Sequence, residues 1–229
     1  MEVKPEQIEK LRKIDAGWPV AIASVVKHVP DCVALICYGS RVYGYAKPKS
    51  DYDILAVTHN PWPWTDQWDA NAQVVKETGA KVNLGVISRD GLKTGQLMSP
   101  FLHLVLRTGI VIGETGDIPV LPISRLGLEN VLGNCRIELE EKDLYESMSM
   151  RCEQLLKAIR DTIALEQVLD NHHDPQALHK NLAAVSKKCA GNAPCLEKEL
   201  RRRIEALETR LLDIPPNAGD RAVEAILYG

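Results

Sequence analysis

Two aspartates stand two residues apart, Asp51 and Asp53, at the front of an apolar run, Tyr52–Thr58. On a strand that spacing sends both carboxylates off the same face. Neighbouring carboxylates repel one another unless something positive lies between them, and a divalent cation is the usual solution. Ten residues separate Asp51 from Gly39-Ser40, which closes an earlier apolar run, Cys32–Tyr38. A glycine there admits close backbone approach, and the neighbouring N–H and serine hydroxyl are donors suited to a phosphate. A cation site and a phosphate site on one sheet point to nucleotide chemistry.

The elements that must position these residues can be read from periodicity. Pro5 to His28 carries helical spacing (Ile8, Leu11, Ile14, then Ile22, Val25, Val26), interrupted by Gly17-Trp18-Pro19. Cys32–Tyr38 reads as a strand buried on both faces. A short helical turn follows over Arg41–Tyr45, then a Lys47–Ser50 loop, then the Tyr52–Thr58 strand. Thr65–Thr78 is expected helical, Lys81–Ile87 a third strand, Arg89–Thr108 a helix ended by Gly109, and Gly109–Gly113 a short fourth strand. A Gly/Pro-rich connector, GETGDIPVLPIS, leads into a second half with almost no strand signal. Asn134–Leu169 reads as one long helix there. Asp174-Pro175 and Asn192-Ala193-Pro194 each start another helix with a polar cap followed by proline. The fold class is therefore α+β: a small mixed-sheet domain over residues 1–115, then an all-α helical bundle over 116–229.

Composition narrows the functions. The 229 residues are 45% hydrophobic and 26% charged, as a globular chain requires, and the net charge of −3 argues against nucleic acid as a general partner. A local basic face stays open. The opening MEVKPEQIEKLRK has no apolar run, and no segment is apolar enough to span a bilayer, so no membrane partner and a cytoplasmic location are expected. The six cysteines form no paired CxxC pattern, which argues against structural zinc. Cys189 and Cys195 flank AGNAP, where a disulfide is geometrically open, but a cytoplasmic location favours free thiols.

The string GSRVYGYAKPKSDYDILAV, residues 39–57, resembles the active-site motif of the DNA polymerase beta-type nucleotidyltransferase superfamily, and most closely its minimal nucleotidyltransferases. The likeness spans residues 30–114: glycine and serine at 39 and 40, an arginine at 41, a glycine at 44, Ser50 before the first acid, and Asp51-x-Asp53. A minimal domain followed by helices also resembles the kanamycin nucleotidyltransferase arrangement. The resemblance implies that Asp51 and Asp53 are catalytic and hold Mg2+ or Mn2+ ions, about 4 Å apart, against an NTP, with ATP expected. Gly39, Ser40 and Arg41 would bind the nucleotide. A nucleoside monophosphate would then pass to a hydroxyl of an acceptor, a small molecule or a protein, and a homodimer is open.

The family's third carboxylate would fall within Lys81-Val82-Asn83-Leu84, where position 83 is an amide. Asn83 can ligate a cation through oxygen but adds no charge and cannot act as a base. Three readings compete: an impaired nucleotide-binding regulatory or antitoxin-like module; an active enzyme with one firmly held cation or a borrowed acid such as Glu77 or Asp90; or a register a few residues off, although no other acid lies within 81–87. An RNA-directed transferase is disfavoured by the acidic balance. Trp62, Trp64 and Trp68 could stack on a base but are expected to cover a sheet edge or dock the helices. His172, His173 and His179 read as a solvated helix cap, and Arg201-Arg202-Arg203 as a salt-bridged helix face.

Overall fold

A computed structural model describes residues 4–113, 120–141 and 145–228. The connector residues 114–119, and with them the boundary placed near 115, lie outside the described residues. The chain divides into two compact units, Met1–Thr94 with Val105–Pro119, and Gly95–Leu104 with Val120–Gly229.

The first unit is built on a mixed four-stranded sheet. The apolar run becomes β1 (Cys32–Tyr38), which pairs antiparallel with β2 (Tyr52–Thr58) and with β4 (Ile110–Gly113). β3 (Val82–Ser88) joins the far side of β2 in parallel, giving the order β3-β2-β1-β4. A parallel neighbour needs a long return, and α4 (Trp64–Thr78) supplies it, ending at Gly79 in the left-handed conformation. α1 (Pro5–Ile14) and α2 (Trp18–His28) precede the sheet; the break expected at Gly17-Trp18-Pro19 falls at Asp15–Gly17, with Trp18 and Pro19 opening α2, where a proline's missing N–H costs nothing.

Strand alternation decides which side chains face which layer. Tyr52, Ile54 and Ala56 of β2 share one face with Leu35 and Cys37 of β1, and all join a single buried cluster with Leu11, Trp18, Ile22, Val25 and Val74 from the helices. Asp51 and Asp53 are on the alternate positions. They therefore leave from the face opposite to the one that α1, α2 and α4 cover.

The sequence expects one helix over Arg89–Thr108, but two form, α5 (Arg89–Met98) and α6 (Pro100–Thr108). Pro100 lacks an N–H and pushes Ser99 out of the helical region, so the run splits there. The division between units falls inside these two helices, so residues 95–104 group with the helical unit.

That unit contains α7 (Arg125–Glu140), α8 (Met148–Leu169), α9 (Pro175–Cys189), α10 (Ala193–Leu212) and α11 (Ala218–Tyr228). Leu155, Ile159 and Ile163 of α8 form its centre, with Leu128, Leu132 and Cys135 from α7 and Leu200, Ile204 and Leu207 from α10. Asp174 and Asn192 cap α9 and α10 as expected, their side chains accepting from backbone N–H groups of the first turn. The single helix expected over Asn134–Leu169 is replaced by α7 and α8, because the Ser147 side chain accepts from the Met150 N–H and starts a new helix. Cys189 and Cys195 are joined as a disulfide, against the expectation of free thiols.

Ser147→Ala separates the two arrangements. In a continuous helix alanine would stabilise, whereas loss of a cap costs about 1 kcal/mol. Urea unfolding is expected to show the loss.

Candidate functional site

β1 ends at Tyr38, and Gly39 turns the chain with φ +80°, a conformation that L side chains rarely adopt. A one-turn helix, α3 (Gly39–Tyr43), follows and is closed by Gly44, also left-handed. The turn at Gly39 is tight against β2. A Cβ at position 39 would lie 2.0 Å from Asp53 Oδ2. Glycine is thus required there twice, by backbone angle and by the carboxylate beside it.

Asp53 pairs across the sheet with Tyr38 on one side and Asn83 on the other. The Asn83 Nδ2 amide donates to Asp53 Oδ1 at 3.0 Å. Burial pushes the Asp53 carboxyl above its ordinary range, the Asn83 hydrogen bond opposes this, and the Asp51 charge adds to the rise. Asp51 itself is about half-exposed, with Lys81 Nζ 4.0 Å from its Oδ1, a loose and solvated contact. The structure therefore gathers Gly39, Asp53 and Asn83, with Asp51 next to them.

Arg41 is placed differently. Its Nε and one terminal nitrogen donate to the Ser50 carbonyl at 3.1 and 2.7 Å, and the other terminal nitrogen pairs with Asp15. The guanidinium also lies 4.1 Å from the centre of the Tyr52 ring. Each of its three nitrogens has a partner within the scaffold, so Arg41 fastens the loop that precedes the acids. Ser50 is part of the same fastening, with its hydroxyl accepting from the Lys47 N–H. Lys47 and Lys49 are exposed on that loop and form no ion pair among the described residues.

Asp15 is the far anchor. It accepts from the Gly17 N–H at 2.8 Å and from the Tyr52 hydroxyl at 2.6 Å. Burial raises its pKa, but Tyr52, Gly17 and Arg41 together hold it below the ordinary range. Nothing in the sequence marks Asp15, which stands in an interhelix turn.

Three tyrosines were also missed: Tyr38, Tyr43 and Tyr45 all feel the charge of Asp53. Burial chiefly, then the Tyr43 phenol and Asp53, push Tyr45 up to about 12; Tyr38 is raised by burial and then Asp53. The Tyr43 hydroxyl lies 2.9 Å from Thr108 Oγ1. In the sequence Tyr38 ends an apolar run and Tyr43 and Tyr45 stand in a short helical turn, with no motif that ties them to Asp53.

The substitute acids do not reach this site. Glu77 is bound by Lys27, His28 and Ser24 of α2, and Lys27 first, then His28, hold its pKa down at about 2. Asp90 is exposed in the first turn of α5 beside Lys93. Trp62 packs on the sheet core and donates to Asp31, whereas Trp64 and Trp68 are exposed and stack edge-to-face at 6.1 Å. They begin α4, after β2 has run its full length from Asp53, so they lie at the strand ends opposite the acids.

The donor set suits one divalent cation of the magnesium type. Mg2+ is commonly held by one or two carboxylates, with waters and substrate phosphates completing its shell. Asp51 and Asp53 supply two charges, and among the described residues no group of three His, Cys, Asp or Glu side chains converges. No protein-family model matches the chain, and no curated protein matches it.

Two outcomes are expected. Gly39→Ala should lower stability by at least about 1 kcal/mol in urea unfolding, from the left-handed backbone alone. Asn83→Val should raise the Asp53 pKa further, read by carbon NMR of its carboxyl. Because that pKa already lies above the unfolded value, folding stability falls as pH rises through this window, and the variant should extend the window upward.

Proposed function

We propose that the chain is a nucleotidyltransferase that moves a nucleoside monophosphate from an NTP to a hydroxyl of an acceptor, using Mg2+ or Mn2+. The observation that supports this most is the packing of the Gly39 turn directly over the Asp53 carboxylate, with Asp51 one strand repeat away. The turn brings bare backbone against the Asp53 carboxylate, so a phosphate held by the cation would lie close to its N–H groups, and Ser40 offers a hydroxyl next to it. Asp51 and Asp53 would hold the cation, which when bound neutralises phosphate charge and favours departure of pyrophosphate. Lys47 and Lys49 add exposed positive charge to the same loop. Asn83 fixes the orientation of Asp53 through Oδ1 but accepts no proton, so the proton of the acceptor hydroxyl leaves to a carboxylate or to water.

A second reading, a nucleotide-binding regulatory module with impaired turnover, is favoured by one feature: the position across the sheet from Asp53 carries an amide instead of a charge. The two readings separate by experiment. With magnesium and each of the four NTPs in turn, pyrophosphate release is expected, falling at least about 100-fold in Asp53→Ala. Binding without release for all four would establish the regulatory reading. Mn2+ binding followed by electron paramagnetic resonance should weaken in Asp53→Ala and tighten in Asn83→Asp. Unchanged affinity in Asn83→Asp would remove position 83 from the cation site.

A further inference from the structure

Helix α4 buries one face and exposes the other. Ala70 and Val74 pack into the core of the sheet unit, while Trp64, Trp68, Ala72 and Lys76 are exposed. Those four follow one another at intervals of four residues, so they form one continuous row on the helix surface. Trp64 is 69% exposed and Trp68 74%, although indole is the largest apolar body a side chain carries. Lys76, at the other end of the row, forms no ion pair among the described residues.

The order of the row, Trp-Trp-Ala-Lys, is complementary to its own reverse. Consider a second copy of α4 laid antiparallel, with the two-fold axis midway between Trp68 and Ala72. Trp68 then faces Ala72 of the second copy, whose small side chain leaves a seat for the indole. Trp64 faces Lys76 of the second copy, whose ammonium can lie on the indole face. Rows of this i, i+4 type pack along one another at a crossing of about 50°, the commonest geometry for two helices. A parallel pairing in register would instead set Trp68 against Trp68 and Lys76 against Lys76.

We propose that this face of α4 pairs antiparallel with the same face of a second copy of the chain, forming a two-fold dimer. α4 covers the sheet face opposite to the one from which Asp51 and Asp53 leave, so the pairing does not use the carboxylates or rest on the activity proposed for them. An aromatic side chain buries about 150–250 Å2, so the four indoles would cover roughly 600–1,000 Å2. That area lies at the lower end of specific interfaces and suits a dimer that separates on dilution, with a dissociation constant on the order of 10 μM.

The test is sedimentation velocity of the full chain from about 1 to 200 μM. Conversion of monomer to dimer with rising concentration is expected. Trp68→Ala empties the seat and Ala72→Trp blocks it, so each should weaken the dimer about tenfold or more. Both substitutions in one chain exchange the large and small positions, and most of the affinity should return because the two copies again match. Lys76→Glu removes two ammonium–indole contacts per dimer and should weaken it about fivefold or more. All three positions are exposed, so circular dichroism should stay unchanged. A chain that stays monomeric at 200 μM would overturn the proposal and assign the two indoles to a different partner. A dimer indifferent to both single substitutions would overturn it as well, and so would a double variant no tighter than the single ones.

Discussion

The contact on which the sheet unit depends is the junction of Asp15, Arg41 and Tyr52. One carboxylate from the turn between two helices meets the guanidinium from α3 and the hydroxyl from the first residue of β2. Arg41 also grips the carbonyl of Ser50, the residue just before Asp51. Helices, turn and strand are thus locked within a few ångströms, and the lock sits beside the acids without using them. The geometry leaves no slack: a Cβ at Gly17 would meet the Tyr52 hydroxyl at 2.0 Å. Trp18 closes the apolar side, edge-on to the Tyr52 ring at 4.9 Å.

Against that rigid frame the amide at Asn83 has an electrostatic consequence. A carboxylate there would put three acids on neighbouring strands, with burial already raising one of them. With no cation bound, such a cluster would strain the sheet or take up protons. The amide donates to Asp53 instead and keeps the cation-free sheet well paired. The same exchange removes charge that a tightly held second cation would need. Folding without metal and strong metal binding therefore pull the choice of residue at position 83 in opposite directions.

The parts of this arrangement that were legible in sequence are those fixed by local period or local chemistry. The apolar runs gave β1 and β2, the spacing of Asp51 and Asp53 put both on one face, and Asn83 was located opposite them. Polar-then-proline pairs gave the starts of α9 and α10. What escaped depends on partners far along the chain. The pairing of Arg41 with Asp15 joins residues 26 apart and is unmarked by any motif. Glu77 seemed available until α2 was seen to bind it. Ser147 and Pro100 carry ordinary capping and breaking signals, but strong helical spacing on both sides overrode them. The disulfide was discounted on compartment, an argument that sets aside the short loop holding its two cysteines together.

The sheet is also guarded at both outer strands. The Gln7 side chain accepts from the Gly113 N–H on β4, and the Asn71 side chain accepts from the Leu84 N–H on β3. Each side-chain amide stands where the backbone of another strand would otherwise pair. Two copies of the chain cannot extend one sheet into the next across those positions without first displacing a helix-borne amide. At those two positions strand-to-strand addition, the route by which exposed sheets seed fibrous aggregates, competes with a hydrogen bond already made.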